Sequence, residues 1–265
     1  MVTAPRRGAV VVAGAAGKTG RAVADALEAA GHEVRRLTRA DGDLADPSTL
    51  RRGTEGAAAL YHLAPNMSPD EELMGADAIA AARANDLRLV FHSVLAPAIV
   101  AMPHHWRKAR VEAALHAAPD VRWTILQPAP YLQNLLPFVQ TALRTGRFRL
   151  PYDPDQRLAM VDLADVGAAA VAVLDDDRHL HATWELCGEA GVSHTVVAER
   201  LGVGIERGTP DDPADAPDDL RAMFRWYDAH GLTGSTAALR WLLGREPRTL
   251  DDFLNSLSGA AGSAR

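Results

Sequence analysis

The residues best placed to do chemistry begin at Gly14-Ala15-Ala16-Gly17-Lys18-Thr19-Gly20, where three glycines recur at every third position between an apolar run and an amphipathic segment. Glycine permits a tight turn, lets a backbone approach a pyrophosphate and lets a helix pack closely on a strand, while the amides that open the helix attract an anion. The spacing is Gly-x-x-Gly-x-x-Gly rather than Gly-x-Gly-x-x-Gly. Gly17-Lys18-Thr19 also imitates the end of a nucleoside-triphosphate loop, but that motif requires a glycine five residues before Gly17, and Val12 stands there. A dinucleotide is therefore the expected ligand, held by Gly14, Ala16, Gly17, Lys18, Thr19 and Gly20; a purely structural glycine turn is the alternative.

At the end of the second strand, NAD-binding sheets place a carboxylate for the ribose hydroxyls. Here Val34-Arg35-Arg36-Leu37-Thr38 runs into Arg39. A cation suits a 2′-phosphate, so NADP(H) is preferred over NAD(H), against the reading of Arg39 as a solvated surface residue. Asp43 and Leu44 are expected beside the adenine, and Ala64 and Pro65, after the third strand, are assigned to the same cofactor.

A third cluster follows the fourth strand: His92 and Ser93, then Pro103-His104-His105-Trp106-Arg107-Lys108, then Glu112. Pro103 suits the first turn of a helix, and His104 and Lys108, four apart, then share one face. That spacing fits a lysine on the nicotinamide ribose and a histidine, one turn earlier, that reaches the substrate as acid or orienting group. The competing reading is a surface Lys108–Glu112 pair. Lys18 and Lys108 are the only lysines among 28 basic residues, which adds interest to both. His92 and His105 are placed on the substrate side.

Other chemistries are poorly supported. No His-Glu-x-x-His or carboxylate-backed histidine triad suggests a metal, and no Gly-x-Ser-x-Gly elbow suggests a serine nucleophile. Cys187 is the only cysteine, which excludes an intrachain disulfide and fits a reducing cytoplasm. A net charge of −6 argues against nucleic acid or an anionic membrane as the main partner. Arg6-Arg7 and the apolar run after it resemble a secretory signal, but the run is short and broken by glycines. The expected partners are a nicotinamide cofactor and a small-molecule substrate, with self-association left open.

These residues need a scaffold, and 265 residues, 48% of them apolar, suffice for a real core. Short β-branched runs at 8–13, 33–38, 58–63, 88–94 and 121–127 alternate with helix-compatible segments at 20–30, 70–85 and 104–118. This pattern predicts an α/β fold, a Rossmann-type doubly wound parallel sheet. Beyond Pro128 the spacing predicts helices over 131–145, 163–174 and 193–201, a half-buried strand ending near Gly188 and an acidic loop over 209–219. The expected organisation is an NAD(P)-binding domain over 1–150, a small, mainly helical substrate-side region over 151–257 from which some elements return to the sheet, and a tail over 258–265.

Taken in order, several motifs resemble the NmrA-like branch of atypical short-chain dehydrogenases. They are the glycine loop, Arg39, His104 to Lys108 with Glu112, Gln127-Pro128-Ala129-Pro130-Tyr131-Leu132-Gln133-Asn134-Leu135, Met160 to Val166, Glu185 to Gly188 followed by a helix, and Thr249 to Phe253. The resemblance implies a Rossmann domain that binds NAD(P)(H), with a small C-terminal substrate region. Typical members of the wider superfamily carry a tyrosine four residues before the lysine as general acid, and here that position is His104. Ser93 stands where the strand-end serine would be. Ser93, His104, Lys108 and Tyr131 are thus the expected catalytic group, and Asn134, Phe224 and Tyr227 join the substrate side. The expected activity is NADPH-dependent reduction of a small aromatic, quinone, enone or ketone substrate. The alternatives are a redox-sensing regulator without turnover and a redox-neutral cyclase, isomerase or dehydratase.

Overall fold

The computed structural model describes residues 8–211 and 216–262. Arg6-Arg7, part of the expected acidic loop and the last three residues of the expected tail lie outside that range. In chain order the first elements are β1 (Val10–Ala13), α1 (Lys18–Ala29), β2 (Val34–Leu37), α2 (Pro47–Gly53), β3 (Ala59–His62), α3 (Glu71–Asn85), β4 (Arg88–His92), α4 (Pro103–His116) and β5 (Arg122–Pro128). Then come α5 (Leu136–Thr145), β6 (Arg147–Leu150), β7 (Leu158–Met160), α6 (Leu163–Asp175), β8 (Thr183–Leu186), β9 (Glu189–Val192), α7 (His194–Leu201), β10 (Gly204–Arg207), α8 (Asp218–His230), α9 (Ala237–Leu243) and α10 (Leu250–Gly262). The chain forms two compact units. The first contains the residues up to Val100, His104–Pro128 and Val166–Trp184; the second contains Ala101–Pro103, Ala129–Asp165 and the residues from Glu185 on.

The first unit is built on a six-stranded sheet of order β2-β1-β3-β4-β5-β8. Parallel pairing joins β1 to β2 and β3, β3 to β4, and β4 to β5. Alternation sends Val11, Ala13, Leu60, Leu89, Phe91, Trp123 and Ile125 into one core with Leu50 of α2, Ala78 and Ile79 of α3, and Val111 and Leu115 of α4. On α6, a Cβ added to Gly167 would meet Ala26 Cβ of α1 at 2.7 Å, so these two helices touch. Strands covered on both faces read as continuous apolar runs, as β1 does, whereas the edge strand β2 reads Val-Arg-Arg-Leu. Among the described residues β2 is the edge strand, and the chain passes from it through residues 38–46 to α2, which is capped by Asp46 Oδ1 accepting from Ser48 N (2.9 Å). The strand order therefore reverses between β1 and β3, and in such sheets the crevice at the carboxyl ends beside the reversal is where ligands bind.

The second unit holds α5, α7, α8, α9 and α10 with two small sheets, β6 with β10 in parallel and β7 with β9 antiparallel. The helix expected from 131 begins as a 3-10 turn over Leu132–Leu135, and α5 starts only where Pro137, which lacks an N–H, can sit in its first turn. The helix expected over 193–201 is α7, and an unexpected strand, β9, precedes it. Gly188 N donates to Met160 O (2.8 Å), and β9 pairs with β7 before Ser193 caps α7. The backbone of α10 runs helical to Gly262, through the first five positions of the expected tail. Among the described residues no helix is long and apolar enough to cross a membrane.

Candidate functional site

The glycine loop lies at the β1/β3 reversal. Gly14 has φ +70°, and a Cβ there would sit 2.7 Å from Leu63 O; at Gly20 it would sit 2.2 Å from Gly14 O. These two glycines are required by the loop's own packing. Gly17 is different: its φ of −74° suits any residue, and a Cβ would meet only Gly14 O, at 3.4 Å. Ala15 N donates to Leu37 O (3.2 Å) and Gly17 N to Gly14 O (3.0 Å), which pins the loop against the end of β2. Gly17 caps α1 without a side chain, and the first turn of α1 has no acidic residue, so the helix start remains suited to an anion. Ala16, Gly17 and Lys18 are exposed while Thr19 and Gly20 are buried. This is a cradle that a single methyl at residue 17 would occupy, and it fits the pyrophosphate of a dinucleotide.

Two arginines near the end of β2 differ sharply. Arg36 Nη2 lies 2.5 Å from Asp25 Oδ1 and 2.9 Å from Glu28 Oε2 of α1. Arg39 is exposed and, among the described residues, has no carboxylate partner. A carboxylate does stand near the strand end, contrary to the sequence reading: Asp41 Oδ2 accepts from both Thr38 N and Thr38 Oγ1 at 2.9 Å. Those bonds lower its pKa. Asp43 is exposed and accepts from Ala45 N (3.0 Å), Leu44 packs against the core, Ala64 is buried and Pro65 exposed.

At the carboxyl ends of β3, β4 and β5 the first unit buries an unusual number of polar groups. Lys108 is not in the surface pair with Glu112 that the spacing allowed. Its Nζ lies 2.8 Å from Oε1 of the fully buried Glu71 and donates to His92 O at 3.1 Å. His92, expected on the substrate side, is a core residue of β4 whose Nδ1 is 2.6 Å from Tyr61 OH. Ser93 is also fully buried, and its hydroxyl donates to Glu112 Oε1; Gln127 Nε2 donates to both oxygens of Glu112 at 2.9 Å. Burial raises the Glu112 pKa while these bonds oppose the shift.

His104 and His105 stand on α4 with rings edge to face, centroids 5.9 Å apart. Both are buried. His105 Nδ1 is 3.4 Å from Ala96 O, and among the described residues His104 Nδ1 has no partner. Burial first, and then the charge of Lys108, push His104 down to about 3, while burial first takes His105 to about 4. His104 is thus a neutral imidazole at physiological pH, not the imidazolium acid that an ordinary histidine pKa would allow.

The remaining expected residues belong to the second unit. Tyr131 precedes the 3-10 turn and forms a backbone bridge with Val161, and Asn134 is exposed at the end of that turn. Tyr227 is buried with its ring centroid 5.6 Å from that of Tyr152, and Phe224 is 5.8 Å from the same ring. These contacts make Phe224 and Tyr227 packing residues that hold α8 on Tyr152. Tyr152 also contacts His194, OH to Nε2 at 3.3 Å.

Sequence reasoning missed two members of the polar cluster, Glu71 and His62. Glu71 opens α3 beside Glu72, where two acidic residues read simply as complements to a helix N-terminus. His62 ends β3, fully buried, with neither ring nitrogen partnered among the described residues and its ring stacked on Phe91 at 6.2 Å between centroids. Burial and Lys108 push it to about 3. Among the described residues no histidine, cysteine and carboxylate group has an arrangement that could hold a metal ion.

Comparison with known proteins identifies the family and the fold. A family model described as the NmrA-like family matches residues 6–208. An NAD(P)H azoreductase of Xenophilus azovorans is 26% identical over 267 residues, covering 91% of this chain and 90% of that protein. Among solved structures, an NADPH-dependent quinone oxidoreductase of Escherichia coli complexed with NADPH superposes with a TM-score of 0.78 at 22% identity, over 94% of this chain and 99% of that one. NmrA, a negative transcriptional regulator in complex with NADP, gives 0.76 at 17% identity, over 93% and 94% of the two chains. NmrA has also been solved with NAD.

Proposed function

The chain belongs to the NmrA-like family, and from that premise we propose that it is an NAD(P)H-dependent reductase, with NADPH preferred, acting on a small conjugated acceptor of the quinone or azo type. The glycine cradle with Lys18 would take the pyrophosphate, Arg39 the 2′-phosphate and Lys108 the nicotinamide ribose, with Asp43, Leu44, Ala64 and Pro65 along the adenosine side. When bound, the nicotinamide supplies a hydride. What this chain's own residues contribute is orientation, electrostatics and exclusion of water.

One observation carries the choice of acceptor. In the polar cluster of the first unit, His104 and His105 are held neutral and the Ser93 hydroxyl is directed at Glu112. A ketone reduced to an alkoxide needs a proton from the protein as charge develops. A quinone or azo acceptor spreads the charge over a conjugated system and can take its proton from water. A neutral imidazole still assists, because its N–H can polarise an acceptor without ionising.

The same observation favours a second reading, in which cofactor is bound without turnover as in a sensing regulator. Redox-neutral acid–base chemistry through His104 and Ser93 fits less well, since neither is set up to exchange a proton near neutrality. The test is to titrate NADPH and NADH, then follow nicotinamide absorbance with quinones, azo dyes and ketones. Oxidation by quinones or azo dyes with little by ketones supports the reductase. Binding without oxidation throughout favours the regulator, and product without absorbance change favours redox-neutral chemistry.

A further inference from the structure

The Glu71–Lys108 pair is buried on both sides, with side-chain exposures of 0% and 5%. Such a pair is a poor source of stability, since desolvating two charges offsets most of their attraction and apolar replacements of similar volume are often neutral or better. Its geometry suggests another use. An ammonium has three donors. One goes to Glu71 Oε1 and a second to the carbonyl of His92, the last residue of β4 at the carboxyl edge of the sheet, so these two bonds together set the direction of the third. The ammonium also lies over the Phe91 ring, 5.3 Å from its centroid.

Among the described residues, the Glu71 side chain bonds to Lys108 alone and its Oε2 has no partner. The nearby histidines cannot neutralise it either: burial, and then the charge of Lys108, hold His62 and His92 at about 3. A planar guanidinium, with its larger fork, would not reproduce this compact three-donor arrangement, which accounts for a lysine in a chain that otherwise uses arginine almost throughout.

We propose that Glu71 is a positioning residue that fixes the Lys108 ammonium so that its remaining donor meets the nicotinamide ribose. The inference rests on the cofactor reading above. It extends the site by a residue on α3 that never touches the cofactor.

The two lysines make the test direct. In protein labelled with ¹³C-lysine the two side chains give two signals, assigned with Lys18→Arg. NADPH should shift the Lys108 signal saturably in the parent protein. In Glu71→Gln, which keeps size and one acceptor oxygen, NADPH affinity measured by calorimetry should fall about 10-fold, the size of one charge-assisted hydrogen bond. The Lys108 response should collapse while that of Lys18 persists. In a Lys108→Met background the same substitution should add almost nothing. A Glu71→Gln protein with parental affinity and an intact Lys108 response overturns the inference alone, as does an equal loss in the Lys108→Met background, which marks a merely structural role. A parent protein that binds neither NADPH nor NADH overturns the cofactor reading and this inference with it. Should Glu71→Gln fail to fold, Glu71→Asp withdraws the carboxylate by one methylene: weaker NADPH binding in a folded protein supports the inference, and parental binding overturns it.

Discussion

Gly17 and Gly20 lie three residues apart in one motif, yet the structure requires them for different reasons, and alanine substitution separates the two. At Gly17 the backbone already lies in a region open to any residue, φ −74° and ψ 164°, and the new methyl would stand 3.4 Å from Gly14 O, an ordinary contact. The one expected penalty is the poorer helix cap, about 1 kcal/mol, which corresponds to roughly 2–4 °C in Tm for a chain of this size. At Gly20 the methyl would be 2.2 Å from Gly14 O, 2.7 Å from Gly14 C and 2.9 Å from Ala15 Cα, all backbone atoms. Overpacking of that kind costs about 1–3 kcal/mol or more.

If the loop takes the pyrophosphate as proposed, the methyl at residue 17 competes with it, so Gly17→Ala should lose at least about 10-fold in NADPH affinity, equal to about 1.4 kcal/mol. Gly20→Ala should lose stability and binding together. Thermal melts followed by circular dichroism, with calorimetric NADPH titration, measure both. A Gly17→Ala protein that binds NADPH like the parent would refute the cradle. One that melts as low as Gly20→Ala would refute the claim that only Gly20 is held by packing.

Three further outcomes are expected. Arg39→Asp should weaken NADPH by about 10–100-fold, the worth of charge-assisted bonds to a phosphate, and leave NADH nearly unchanged; a parallel fall for both cofactors removes Arg39 from the 2′-phosphate. His62→Leu should raise stability at pH 7 by about 1–3 kcal/mol, because it deletes buried nitrogens that have no partners, and a lower Tm would show that they are satisfied. Stability should decline on acidification. His62, His92, His104 and His194 sit near 3 in the folded chain because burial disfavours their charged forms, against about 6.5 when unfolded. Below pH 6.5 the unfolded chain therefore takes up protons that the folded chain refuses. Each such histidine lowers stability by about 2 kcal/mol at pH 5, and a Tm that stays flat from pH 7 to 5 would contradict this.

The sheet was legible because short runs of β-branched and aromatic residues, such as β1, β4 and β5, are separated by helical segments long enough to cross over. The glycine loop was legible because its spacing sits between such a strand and such a helix. What lay beyond sequence reasoning follows from two physical facts. Strands of three or four residues, such as β6, β7, β9 and β10, are too short for alternation to register. Helices rich in alanine blur the inward face: on α3, Glu71 is fully buried while Leu73 is half exposed and Glu72 pairs with Arg110 at the surface. Nothing in Asp70-Glu71-Glu72-Leu73 marks which glutamate turns inward. A strand covered on both faces hides the same information, which is why His92 could not be distinguished from a residue that faces a ligand.

The replacement of tyrosine by His104 can now be judged on electrostatics. A lysine beside a tyrosine favours the phenolate and brings the phenol pKa down toward neutrality, where it becomes a useful acid. Beside a histidine the same positive charge acts in the opposite sense, because it disfavours the imidazolium. With burial added, His104 is carried to about 3, away from any pH at which it would hold a transferable second proton. The two rings are therefore not interchangeable in front of one lysine: with tyrosine the pair delivers a proton, with histidine it presents a fixed positive charge and a neutral N–H donor. Chemistry of that kind suits an acceptor whose reduced form is a delocalised anion that water can protonate. Both the proposed reductase on quinone or azo acceptors and binding without turnover meet that condition, and ketone reduction does not.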